Sequence, residues 1–553
     1  MQQDSTLSGP SRRPSSLACM TCRRRHLKCD AQMPVCSRCQ ASSTECRYIQ
    51  SRRGRTKNSN PSQQLLDDDA SLFSAVNPDD FSEWPSGTNL TTDLVDLDAR
   101  QSLLPEDALA WPELENAVTP EVAYDPLIQL YYQTFHRSHP LLIPRKALHS
   151  HLVAKIPQYI LSIMRFIGAH QHHDPSLKEL FRQSAYSVLS ALTPRDGFMV
   201  QGMVLLAIVE HARGAEDSAT RIMQAAVNLA LELGMNKAAF AAEHSGGNSI
   251  LEESWRRTYW ELYFVDGFLA AMRDQSAFQL FHSPADVRLP CDEELYNSGD
   301  VVIPSNLTFK DLTNKWHFDE ERRFPSSAYR IQAVRVLGMV MELNRSLDID
   351  LDTQIETIDA VLAALLMQLP SSQRDAYGSH CGLDEMTFQA QMTSYLCVHH
   401  LYKPLSVPTN KLSLPSALIY LHHPRSNMRY ASIHAYTSCT RLPTIRETTP
   451  PSASLDLHSQ KLLRAADLLC NLATLPNPVK YRTPFFTCAL AMCVVVHTVA
   501  CLVVSIPEKQ ESIKARIQLA VGALHVLGKL WPLAKTVRQR LISMYQELGL
   551  RCR

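Results

Sequence analysis

Glycine is scarce in this chain, with 18 residues in 553, and no run of alternating strands can be traced. Both absences argue against a nucleotide-binding α/β domain. There is no G-x-x-x-x-G-K-[ST], no H-E-x-x-H and no G-x-S-x-G, so the familiar phosphate loop, zinc-peptidase helix and nucleophile elbow are missing. The N-terminus, MQQDSTLSGPSRRPSSL, has no apolar stretch of the secretory kind. Without secretion, the 15 cysteines are not expected to form a disulfide framework. Net charge is lacking too, since 55 basic residues meet 55 acidic ones.

That zero hides an asymmetry. Residues 1–60 carry twelve Lys/Arg against Asp4, Asp30 and Glu45, a balance of +9. Residues 61–125 carry Arg100 against fifteen acidic residues, a balance of −14. Charge blocks of this kind mark interaction segments rather than a fold. The chain is also too long for one ordinary core.

Six cysteines fall into a strict repeat. CMTCRRRHLKC (19–29) and CSRCQASSTEC (36–46) are both C-x2-C-x6-C, offset by seventeen positions throughout. A structural zinc takes four ligands, typically thiolates. Six thiolates serve one zinc with two left over, or two zincs if two sulfurs are shared. The internal repeat favours two zincs in pseudo-symmetric half-sites. The copies differ in charge: the first carries Arg23, Arg24, Arg25, His26 and Lys28, whereas Arg38 and Glu45 cancel in the second. Two zincs and six thiolates sum to −2, so the surplus basic residues must look outward.

These residues resemble the fungal binuclear zinc-cluster family of transcription regulators, over the whole of Cys19 to Cys46. The resemblance implies that the first and fourth cysteines bridge. One zinc is then held by Cys19, Cys22, Cys29 and Cys36, and the other by Cys19, Cys36, Cys39 and Cys46. Pro34 matches the proline that shapes the family's turn. A short helix beginning at Cys19 is expected to enter the major groove of double-stranded DNA. In the family, the counterparts of Arg25 and His26 read bases over a CGG-type half-site, though lysine is commoner where His26 stands. Arg23, Arg24 and Lys28 are expected on phosphates. The run SRRGRTK, with Arg52, Arg53, Arg55 and Lys57, resembles the linker that tracks the DNA backbone, and also reads as a nuclear-import signal.

Further on, residues 61–120 interleave Asp/Glu with Leu65, Phe73, Phe81, Trp84 and Trp111, broken by prolines. This is the composition of a disordered activation segment or of a solvated linker. No heptad run adjoins the cluster, so dimerisation is left open.

From about residue 121 the chain reads as helices. LIQLYYQTFHRSHP puts Leu127, Tyr131 and Phe135 on one face and stops at Pro140. Two helices flank Gly214, with Gly234 at a second C-cap, and ESWRRTYWELYFVDGFLAAMR makes a third. FHRSHP, VLLAIVEHARG, ESWRRTYWELYFVD, LHHPRSNM and RTPFFTCALAM are similar to segments of the family's helical regulatory region, especially in members that control secondary-metabolite gene clusters. Thr483–Ile506 is long and apolar enough to span a membrane, but its three cysteines, threonines and central His497 favour a core helix. His170, His172 and His173, and His399 with His400, are weak metal candidates and read as surface or capping histidines.

The expected architecture is a disordered tail (1–18), a small binuclear zinc-cluster domain with two short helices (19–46), a basic linker (47–60), a disordered acidic segment (61–120) and a large all-α regulatory domain (121–553). The expected function is a nuclear, DNA-binding activator at RNA polymerase II promoters of a secondary-metabolite cluster, with zinc as cofactor, no membrane, and the transcription machinery or coactivators as partners. Two alternatives stand beside it: a zinc-stabilised regulator acting through protein contacts, and a small-metabolite enzyme in the helical domain.

Overall fold

The computed structural model describes residues 21–22, 29–30, 32, 35–42, 44 and 46 of the cysteine-rich unit. It then describes 122–548 apart from 191, 274, 276, 300–305, 314–323, 344–350, 370–383 and 403–456. The tail, the linker, the acidic segment and LHHPRSNM lie outside these. The chain divides into two units, Met1–Trp111 and Pro112–Arg553. In the first, Thr21 and Cys22 are helical and α1 spans Ser37–Ala41.

The second unit is helical, with no β-strand element among the described residues. It opens with α2 (Pro126–Thr134), α3 (Gln158–Ala169), α4 (Ser176–Tyr186), α5 (Gly197–Arg213) and α6 (Glu216–Glu232). Next come α7 (Ala238–Glu243), α8 (Ser249–Met272), α9 (Glu293–Asn297), α10 (Phe309–Thr313), α11 (Ser326–Leu343) and α12 (Leu351–Gln368). The body closes with α13 (Glu385–Tyr402), α14 (Leu457–Asn471), α15 (Phe486–Val503), α16 (Pro507–Gly528) and α17 (Pro532–Glu547).

Local chemistry explains the ends. At α2, Pro126 occupies the first turn, where its missing N–H costs nothing, and the Asp125 carboxylate accepts from Leu127 N (3.0 Å) and Ile128 N (3.2 Å). Between α5 and α6, Gly214 adopts φ 86°, which a side chain would resist, and Gly234 closes α6 with φ 76°. The two helices it separates pack against each other, as the sequence predicts. The first helix differs from expectation: α2 ends at Thr134, well before Pro140. The chain turns inward there, carrying Ser138 and His139 into the core.

That turn, residues 135–143, is buried apart from the Arg137 side chain and lacks regular structure, so its carbonyls need partners from elsewhere. Four helices and the turn's own neighbour supply them. Gln389 of α13 donates to Ser138 O at 2.8 Å, and Ser254 of α8 to Leu141 O at 2.7 Å. Gln201 of α5 also reaches Leu141 O at 3.2 Å. Tyr296 of α9 donates to Leu142 O and Tyr132 to Ile143 O, both at 2.8 Å.

Helix α8 runs through the middle, and its charges are as buried as its aromatics. Glu261, 1% exposed, accepts from Arg330 of α11 at 2.7 Å and pairs with His139 Nδ1 at 2.7 Å. His139 Nε2 meets Thr483 Oγ1 at 3.1 Å, so both ring nitrogens are bonded. Burial pushes the Glu261 carboxyl up, but Arg330 and His139 outweigh it and hold it below the usual carboxylate range. Arg330 also lies 4.6 Å over the Phe264 ring. About two turns earlier, Glu253 binds Arg256 and Arg257, each at 2.9 Å, and Arg257 continues to Glu293 at 2.7 Å.

The apolar stretch of 483–506 forms α15, and 89% of it is buried inside the helical body. His497 Nε2 meets Asp467 of α14 at 2.9 Å, and Arg516 of α16 meets the same carboxylate at 3.0 Å. A mid-helix histidine bonded to a carboxylate of a neighbouring helix is what a packed protein interior provides. Cys291, Cys397, Cys470, Cys493 and Cys501 are buried free thiols, as small core fillers should be. Cys488 departs from that expectation and is disulfide-bonded.

Two outcomes follow from this packing. Glu261→Ala strands the Arg330 cation in the core and should cost about 3–5 kcal/mol of stability. Urea unfolding measures this, and Glu261→Leu combined with Arg330→Met should cost less than the two single changes added together. The full chain should be extracted from membranes by alkaline carbonate, and a resistant pellet would contradict the placement of α15 in a protein core.

Candidate metal centre and nucleic-acid interface

Among the described residues of the cysteine-rich unit, the buried cluster is Cys22, Cys36 and Cys39, with Cys29 and Cys46 packed against them. The sulfurs fall into two groups. Cys22, Cys29 and Cys36 form one, and Cys36, Cys39 and Cys46 the other, each with Sγ atoms within 4.8 Å of one another. Cys36 belongs to both.

The spacing fits zinc. Two thiolates on one tetrahedral zinc, with Zn–S near 2.3 Å, stand about 3.8 Å apart. Cys22 Sγ and Cys36 Sγ are 3.7 Å apart. Each group supplies three of the four positions a structural zinc needs. One further thiolate shared by both groups would complete them, giving eight positions from six sulfurs.

The backbone around Cys36 is arranged to hold anionic sulfur. Cys36 stands at the N-cap of α1, and its Sγ accepts from Cys39 N at 3.4 Å. Cys36 N in turn donates to Cys46 Sγ at 3.3 Å, and Thr44 N to Cys39 O at 3.0 Å. N–H donors to thiolates orient metal ligands and spread their charge. Asp30 ties the first half to α1: its carboxylate accepts from Ser37 N at 3.2 Å and from the Ser37 hydroxyl. Those Ser37 bonds, the hydroxyl's first, hold the Asp30 carboxyl below its ordinary range. Sequence reasoning missed this clamp. Its only written signal is a polar residue directly after each of Cys29 and Cys36.

Five of the six expected ligands are thus brought together, namely Cys22, Cys29, Cys36, Cys39 and Cys46. Cys19 lies outside the described residues. So do all nine expected DNA contacts: Arg23, Arg24, Arg25, His26, Lys28, Arg52, Arg53, Arg55 and Lys57.

The histidine candidates form no metal cluster among the described residues. His170 is buried, stacks on Trp531 with centroids 5.2 Å apart, and bonds Phe166 O through Nδ1 at 2.9 Å. Burial lowers its pKa to about 4. His172 and His173 lie against each other at 4.1 Å, and His172 Nδ1 accepts from Asp174 N. The side chains of His399 and His400 lie outside the described residues.

Comparison with known proteins matches both units. Residues 17–55 match the fungal Zn(2)-Cys(6) binuclear cluster domain, and residues 128–357 match the fungal specific transcription factor domain. The C6 finger domain transcription factor iacK of Pestalotiopsis fici is 29% identical, over 96% of this chain and 80% of its own length. The citrinin biosynthesis transcriptional activators mrl3 of Monascus ruber and ctnR of Monascus purpureus are each 24% identical over 56% of this chain. The matched region covers 69% of mrl3 and 61% of ctnR. No solved structure matches the chain significantly.

Native mass spectrometry should find two zincs per chain. Cys36→Ala removes a ligand from both groups and should release both ions, whereas Cys46→Ala removes one from a single group. Equal metal loss from the two variants would refute the sharing of Cys36.

Proposed function

Given that the chain belongs to the fungal Zn(2)-Cys(6) binuclear cluster family of transcription factors, we propose that it activates a secondary-metabolite gene cluster by binding CGG-type half-sites in its promoters. It is a regulator rather than an enzyme, with two zinc ions as its cofactor. The observation that carries the reading is the pair of cysteine groups meeting at Cys36, set beside a basic run confined to the first copy of the repeat. Metal supplies the folding free energy that so small a unit cannot draw from apolar burial.

In this reading Cys19 is the second shared thiolate, the symmetric counterpart of Cys36. Arg25 and His26 read base edges. A neutral or charged imidazole can donate to guanine N7 or O6, but over a shorter reach than lysine. Arg23, Arg24 and Lys28 hold phosphates, and Arg52, Arg53, Arg55 and Lys57 follow the backbone beyond the cluster. The same basic run directs the chain to the nucleus. The acidic, aromatic-studded stretch of 61–120 recruits coactivators or the RNA polymerase II machinery. Printed names support the pathway and its sign: mrl3 and ctnR are called activators of citrinin biosynthesis.

Selection from random duplexes with the full zinc-loaded chain tests this. A CGG-containing motif is expected. Arg25→Ala should relax it at one position, at roughly 1–3 kcal/mol per base contact. Arg53→Ala should weaken all sequences alike and shrink the salt slope by about one. His26→Lys should alter the half-site or abolish pH dependence between about pH 5 and 8. No enriched motif at all would favour a regulator that works through protein contacts.

A further inference from the structure

A cavity of about 650 Å³ opens in the helical unit beside the buried turn. It lies between residues 132–149, α9, the start of α13 and the segment 477–482. This volume is in the range of small-molecule sites. His136 lines it and is 3% exposed, yet neither ring nitrogen has a hydrogen-bond partner. Its neighbours are the rings of Tyr131 and Tyr132, at 5.8 and 4.8 Å. A buried imidazole with two idle nitrogens is costly unless something else occupies them.

The charges of the wall are unequal in how they are already used. Glu293 is held by Arg257 and Glu385 by Arg482, each at 2.7 Å. Asp384 is engaged by Thr387, through its N–H and its hydroxyl, both at 3.2 Å. Asp384 and Glu294 are thus the two lining carboxylates without an ion pair among the described residues. Against these two stand Arg137, Arg145 and Lys146, three exposed cations with no ion pair among the described residues. The unneutralised charge at the rim is therefore positive. Tyr132, Pro140 and Tyr481 add apolar surface for a ring.

We propose that this cavity binds a small hydroxylated carboxylic acid, its carboxylate on Arg137, Arg145 and Lys146 and its hydroxyl on His136. Burial, with Arg257 and His139 nearby, lowers the His136 pKa to about 3, so the ring is neutral at physiological pH. A neutral imidazole offers one donor and one acceptor, which a hydroxyl satisfies together. The inference does not rest on the DNA reading and would survive its failure.

The test uses the full zinc-loaded chain and two matched pairs, 4-hydroxybenzoate with 4-hydroxybenzamide, and 4-hydroxyphenylacetate with its amide. Saturation-transfer NMR and calorimetry should show the acids binding at least about tenfold tighter than the amides. Arg145→Gln with Lys146→Gln should erase that preference without shifting the melting temperature, since both side chains are exposed. His136→Phe should remove the advantage of 4-hydroxybenzoate over benzoate. Should that variant fail to fold, the exposed pair decides alone. No binding by either acid at about 10 mM, equal binding of acids and amides, or an Arg145/Lys146 variant that binds like the parent would overturn the proposal.

Discussion

A carboxylate in the middle of an apolar helix sets the terms for the helical unit. Glu261 sits among Tyr259, Trp260, Leu262 and Phe264, all buried. An ion there loses several kcal/mol of hydration unless oriented partners replace the water. The replacements come from far away in sequence: His139, Arg330 and, through His139, Thr483. Arg330 needs Gln389, and Gln389 needs the carbonyl of Ser138. Each group is satisfied only if the next is in place. Such a ring contributes little to net stability over an apolar packing of the same volume. Its effect is on uniqueness, because any shifted register leaves an unpaired charge in the core.

The two units solve opposite problems. The helical body has apolar surface in abundance and uses buried ions to fix how it packs. The cysteine-rich unit has nearly no apolar surface to hide and relies on sulfur and metal. What they share is economy of partners. Cys36 is common to both thiolate groups, as the Glu261 carboxylate is common to a histidine and an arginine. In each case one side chain bridges two halves that would otherwise be independent.

Sequence made some of this legible and hid the rest, for physical reasons. Metal ligation is local: C-x2-C-x6-C places sulfurs by short chain geometry, so six ligands could be named, and the five among the described residues are found together. The pair of helices around Gly214 was legible because a left-handed residue must be glycine or close to it. The zinc-unit clamp of Asp30 on Ser37 was not, since any short polar residue would look alike in that position. The end of α2 was misjudged because Pro140 is a strong stop signal, while the real cause is tertiary. Ser138 and His139 leave the helix to reach partners 100 or more positions away. The ion ring was half visible. Glu261 among buried aromatics announces that something must neutralise it, but its partners, His139 and Arg330, are 122 and 69 positions away and are a property of the fold.

The stretch Arg482–Thr483 has a consequence for how the protein is made. It is the latest-translated member of the ring, closing on His139 and on Glu385 through bonds of 3.1 and 2.7 Å. Trp531, later still, stacks on His170. A ribosome that has released only the first 480 residues has therefore exposed Glu385 without Arg482, His139 without Thr483 and His170 without Trp531. Domains of this contact pattern fold late and as a unit. The nascent helical body completes these contacts only when the residues after 480 emerge, whereas the cysteine-rich unit is translated long before them. The order of synthesis thus brings out the metal-binding unit long before the helical body is complete.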